Sequence, residues 1–171
     1  MCAGCARTLS RRETRWKTPG NELGFAYARA PMSDVPSRRR ALLEESLELS
    51  LLRDPDFPRL FYEILFRDYP STRALFKQNS LNAQRIMLSK TLMAAVDHID
   101  DPAWLDENLR SLGADHQGYG VTAEMYDWMG VALKAALAET CGSEWTDEHG
   151  VAWDEALAIL VRAMRAGETQ P

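Results

Sequence analysis

The sequence is poor in the residues that most often announce a chemistry. Its 171 residues hold only three cysteines, three histidines, ten glycines and eight prolines. Cys2, Cys5 and Cys141 are odd in number and follow no repeated spacing, so they form no disulfide framework. A reducing compartment follows, and cytoplasmic placement is the expectation. Cys2 and Cys5 make a C-x-x-C pair, but no second pair completes a zinc site, and two incidental thiols are the simpler reading. A Gly-rich phosphate loop, an H-E-x-x-H and a G-x-S-x-G are all missing. No run approaches 18 consecutive apolar residues, and residues 1–31 contain no signal-like apolar stretch. A membrane span is therefore not expected. The arginine-rich, acid-poor start keeps an organelle-transit segment as a minor alternative.

Valine and isoleucine are also scarce, 10 together against 21 leucines, and alanine is abundant. That balance favours helices over a sheet of β-branched strands. At 19.3 kDa, with 46% apolar and 26% charged residues, the chain suits one domain with a real core and is too short for two catalytic domains.

The net charge of −5 is unevenly spread. Residues 1–31 hold six basic and two acidic side chains, a net of +4, whereas residues 32–171 carry −9. In the acidic part the basic residues stand singly among carboxylates, which excludes the clustered positive face that nucleic acid requires. Residues 1–31 show no helical period and include Pro19-Gly20, so they read as a disordered basic N-terminal extension before a domain at 32–171. Met32-Ser33-Asp34 resembles a start in its own right, which raises an over-extended reading frame as an alternative for the first 31 residues.

From Ser37 onward the sequence reads as a succession of helices. Ser37 caps the first, with Leu42, Leu43, Leu47, Leu49 and Leu51 inside it, and Asp54-Pro55 ends it near Arg53. The second runs from about Asp56 to Asp68, with Leu60, Phe61, Ile64 and Leu65 at helical spacing and Tyr62 among them. Pro70 opens a short turn to Phe76, and a polar stretch follows at Lys77–Ser80. Next come helices at about Leu81–Ile99, with Gln84, Leu88 and Leu92 four apart, and at about Pro102–Asp115. Thr122 begins another, stopped by Gly142, and the last spans Thr146 to about Ala166.

Of the histidines, His98 at a helix end beside Asp97 and Asp100 and His149 beside Glu148 read as surface residues. His116 differs. It closes a helix whose inner face carries Leu105, Leu109 and Leu112, the place from which a single axial ligand to a flat apolar cofactor would come. On spacing alone, a core or capping histidine is the commoner reading.

The run Leu112-Gly113-Ala114-Asp115-His116-Gln117-Gly118-Tyr119-Gly120-Val121, with Tyr126 ten residues after the histidine, resembles the proximal helix of bacterial haemoglobins and of flavohaemoglobin globin domains. Phe61-Tyr62 through Leu65-Phe66, then Pro70 and Leu75-Phe76, resembles the B, C and CD region of that family. Thr146 to Trp153 is similar to its last helix. The resemblance covers about residues 37–166.

It implies an all-α, three-over-three globin fold around haem b. His116 matches the proximal iron ligand, and Phe76 the phenylalanine on the haem face. Tyr62 and Gln84 match the distal tyrosine and glutamine, with Leu88 as an apolar wall and Val121 beside the proximal turn. Placing Gln84 takes a two-residue deletion after Phe76. Tyr126 matches a tyrosine that joins the histidine and a glutamate, and an ungapped count from Trp153 reaches Glu168 for that glutamate. The expected activity is reversible O2 binding by a monomer or homodimer. The alternative is nitric oxide dioxygenation with electrons from a separate flavin reductase. A sensor would want an output domain, and a helical interaction module without haem is the outsider.

Overall fold

The structure, a computed structural model, describes residues 37–76 and 80–168. The basic extension, its Cys2–Cys5 pair and the polar residues 77–79 lie outside the described residues. Among the described residues there are six α-helices and no strand: α1 Arg38–Arg53, α2 Phe57–Asp68, α3 Leu81–Asp97, α4 Pro102–Gly118, α5 Ala123–Cys141 and α6 Asp147–Arg165. A 3-10 segment, Pro70–Phe76, follows α2, and a shorter one, Gly142–Glu144, precedes α6.

The ends of the helices follow from side chains that serve the free amides of a first turn. The Ser37 hydroxyl accepts from the Arg40 amide at 3.1 Å, and the Asp101 carboxylate accepts from the Trp104 amide at 3.0 Å, with Pro102 in the first turn of α4. At α6 the Thr146 amide donates to His149 Nδ1 at 3.1 Å in a reciprocal capping box. This corrects the surface reading of His149, which is buried, its ring packed beside Trp145. His98 caps the end of α3 as expected of a helix terminus, yet it also stacks on Trp104 with ring centres 4.1 Å apart.

The helices form two layers, α1, α3 and α4 over α2, α5 and α6. Helix α1 packs on α5 and α6 from across the layers, α4 packs on α6, and α2 packs on both α5 and α3. The core is leucine, alanine and aromatic: Leu43, Phe57, Leu133, Leu137 and Trp153 are fully buried. Burying the Trp153 indole requires a partner for its N–H. It donates to Ser46 Oγ at 2.9 Å, joining α6 to α1.

Three glycines decide where α4 lies, Gly167 among them, since a Cβ there would meet the Arg110 carbonyl oxygen of α4 at 2.0 Å. A Cβ on Gly113 would meet the Met164 carbonyl oxygen at 1.9 Å, so only glycine lets α4 approach α6 this closely. Gly120, at φ +87°, takes the left-handed conformation that reverses the chain after α4.

Candidate functional site

Helix α2 turns Phe61, Tyr62, Leu65 and Phe66 inward, because its apolar residues repeat at helical spacing. Tyr62 packs edge-on to Phe76 with ring centres 5.4 Å apart, and Phe66 meets Phe76 in the same manner at 5.3 Å. The Arg73 guanidinium lies 4.9 Å above the Phe66 ring and covers this aromatic group from outside. Burial pushes the Tyr62 phenol up to about 12, opposed by the positive charge of Arg85. The phenol is therefore neutral at physiological pH, a hydroxyl with a proton to give. Among the described residues no hydrogen bond engages it.

Gln84 lies in the first turn of α3, its amide held by the Ser80 carbonyl at 3.1 Å. Leu88 and Leu92 continue the same face at intervals of four.

His116 falls inside the last turn of α4, which runs to Gly118 and so extends beyond the Asp115 end expected from sequence. Its Nδ1 lies 2.7 Å from the Leu112 carbonyl oxygen. A carbonyl can only accept, so Nδ1 donates and, in the neutral ring, Nε2 is the nitrogen with the lone pair. The ring lies nearly parallel to that of Tyr126, with centres 6.1 Å apart. The Tyr126 hydroxyl donates to Glu168 at 3.1 Å, and Arg165 stands 3.6 Å from the same carboxylate. Burial first, and then Glu168, drives the Tyr126 phenol well above the ordinary tyrosine range. Glu168 thus reaches the tyrosine, while the imidazole proton goes to the backbone of its own helix.

Tyr62, Phe76, Gln84, Leu88, His116, Val121 and Tyr126 all line one cavity whose walls are otherwise almost wholly apolar. Sequence reasoning missed several of its walls, above all Met125, Met129 and Leu133 on α5 and Met164 on α6. The α5 residues recur every four positions and could have been found as a stripe. A wider groove between α5 and α6 is different in kind: it opens to solvent, and its charges are mostly paired, Lys134 with Asp154 and Arg165 with Glu168.

Among the described residues no group of three or more His, Cys, Asp or Glu side chains could hold a bare metal ion. His116 offers one nitrogen into an apolar slot. That donor set fits a metal whose other ligands come from its own flat macrocycle. No helix among the described residues is long and apolar enough to cross a membrane.

The globin family model matches residues 59–164, and the chain belongs to the globin family. Haem binding is the general property of that family. A globin of Buccinum undatum is 29% identical over 115 residues, covering 61% of this chain and 79% of its own length. The flavohaemoprotein of Bordetella pertussis is 31% identical over 123 residues, and that of Bacillus anthracis 30% over 112. These cover 71% and 64% of this chain but only 31% and 27% of the flavohaemoproteins. Among solved structures, an engineered carbene transferase from Rhodothermus marinus, itself described as a candidate nitric oxide dioxygenase, is 27% identical with a TM-score of 0.67. It covers 79% of this chain and 94% of its own.

Proposed function

We propose that the protein is a haem b globin that binds O2 reversibly. The observation that carries this reading is the bare His116 nitrogen sharing one apolar cavity with a neutral tyrosine hydroxyl and a glutamine amide. Haem, when bound, would supply a ferrous iron able to take up a diatomic ligand. His116 Nε2 is the nitrogen that would hold the iron, and the Leu112 carbonyl fixes which nitrogen that is by taking the proton of the other. Phe76, Leu88 and Val121 would pack on the macrocycle. Tyr62 and Gln84 come from α2 and α3, a different part of the cavity wall from His116. Their O–H and N–H would donate to a ligand that carries partial negative charge, while the apolar walls keep out competing water.

A second reading rests on the relatives, which include flavohaemoproteins and a candidate nitric oxide dioxygenase. In it, nitric oxide and O2 combine with one electron to give nitrate. The chain spans under a third of the flavohaemoproteins it matches. In this reading a flavin reductase supplies the electron, in the cytoplasm with the globin.

The absorption spectrum of the haem-reconstituted protein tests the premise: a Soret band that shifts reversibly with O2 supports it, and no band overturns it. Stopped-flow addition of nitric oxide to the oxygenated protein then separates the two readings. Repeated turnover to nitrate with a cellular reductase favours the enzyme, and a single turnover without re-reduction favours storage or delivery.

A further inference from the structure

We propose that Arg85 is a positioning residue of this cavity: anchored on Asp56, it ties the helix that carries Gln84 to the start of the helix that carries Tyr62. The inference rests on the reading of Tyr62 as the donor to the diatomic ligand.

Arg85 directly follows Gln84 on α3, and its guanidinium lies 3.3 Å from the Asp56 carboxylate, 29 residues away. Asp56 is the residue at which α2 begins, and Tyr62 lies within the next two turns. The same carboxylate is 3.8 Å from Arg59, which in turn holds Glu63 at 2.7 Å, so the anchor is itself braced along α2. The Arg85 side chain is only 28% exposed, and its Nε–H is buried with no partner. A surface ion pair contributes little and leaves its donors in water, whereas an unpartnered buried N–H costs free energy. The arginine is thus partly withdrawn from water with one donor unmet, held by its bond to Asp56.

The effect of that placement falls on Tyr62. Burial raises the phenol and the Arg85 charge opposes it, and burial is the larger of the two. The phenol therefore keeps its proton, and the positive charge of Arg85 favours donation from it. Loss of Arg85 would weaken the donor in charge and in place at once.

The test uses the full-length haem-loaded protein and its Arg85→Met, Arg85→Lys, Tyr62→Phe and Tyr62→Phe/Arg85→Met variants. Two quantities are read: the O2 dissociation rate and the C–O stretching frequency of the carbon monoxide complex. Arg85→Met should release O2 about three- to tenfold faster and raise the C–O frequency, the size expected for weakening one charge-assisted hydrogen bond. Arg85→Lys, which keeps the charge, should recover most of both changes. With Tyr62 already replaced by Phe, Arg85→Met should change neither. If Arg85→Met alters neither quantity while Tyr62→Phe speeds release, Arg85 has no such role. The same conclusion follows if its effect persists in the Tyr62→Phe background. If Tyr62→Phe leaves release unchanged, the donor reading falls and the role of Arg85 falls with it. Should Arg85→Met fail to fold, Arg85→Gln carries the same comparison.

Discussion

Gly113 and Met164 meet backbone to backbone, with room for a hydrogen at Gly113 and for nothing larger. His116 lies one turn further along the same helix, so its depth in the cavity is fixed by a contact between α4 and α6 that involves no side chain of Gly113. Gly113→Ala should cost about 1–3 kcal/mol, the usual penalty of overpacking, since the opposing atoms are backbone and cannot rotate away. Gly118→Ala is the matched control, because a Cβ there meets nothing within 4 Å. Chemical denaturation and haem retention should both fall for the first variant and hold for the second.

Replacing His116 with Ala should change the ferrous spectrum of the haem-loaded protein, and added imidazole should restore it. The site has one nitrogen facing the cavity and no second donor of that kind in its lining. Retention of the native spectrum without imidazole would remove His116 from the iron.

Tyr62→Phe keeps the ring that packs on Phe61, Phe66 and Phe76 and deletes only the hydroxyl. O2 release should accelerate about tenfold, the equivalent of one hydrogen bond of roughly 1.4 kcal/mol in a dry site. Stopped-flow displacement of O2 by carbon monoxide measures it.

The same hydroxyl makes the protein sensitive to alkali. In the folded chain the Tyr62 phenol is pushed up to about 12 from its model-compound value of 10.0. Below the unfolded value the phenol is neutral in both states, and its burial then carries no ionisation penalty. As pH rises from about 10 through 12 the unfolded state loses the proton first, so stability falls in that window, by roughly 2–3 kcal/mol at its end. Tyr62→Phe should make the fall of the denaturation midpoint across that range shallower without abolishing it, because the raised Tyr126 phenol contributes in the same direction, and an unchanged slope would refute the assignment.

Glu168→Gln should leave the iron–histidine stretching frequency of the ferrous protein where it is. The carboxylate touches the Tyr126 hydroxyl, and the imidazole proton is taken by the Leu112 carbonyl. A downward shift in the resonance Raman spectrum would mean that Glu168 acts on the imidazole directly.

The helices were legible in the sequence because apolar spacing and capping residues are local signals. Leu42, Leu43 and Leu47 gave α1, and Ser37 and Thr146 marked two starts. The haem-side residues were legible only through resemblance: nothing in the spacing of Gln84 separates it from a surface amide until α2 and α3 are packed together. What stayed hidden depends on partners distant in sequence or on local geometry that charge patterns do not encode. Gly113 meets a residue 51 positions away, which no window of sequence can register. His149 looked exposed because its neighbours are acidic, but its ring nitrogen serves the Thr146 amide, and that bond draws it inward. The end of α4 shifted past His116 because the chain does not reverse until Gly120.

The Trp153–Ser46 bond also sets how much of the chain the fold needs. The family match begins at residue 59, beyond α1, yet α1 supplies Ser46 to the indole and Leu43 and Leu47 to the layer beneath it. A fragment trimmed to residues 59–164 would leave the indole N–H without its acceptor, at a cost of about 1–3 kcal/mol for that group alone. It would also lose Glu168 from Tyr126 at the other end. The unit that can stand alone is therefore longer at both ends than the stretch by which its kinship is recognised.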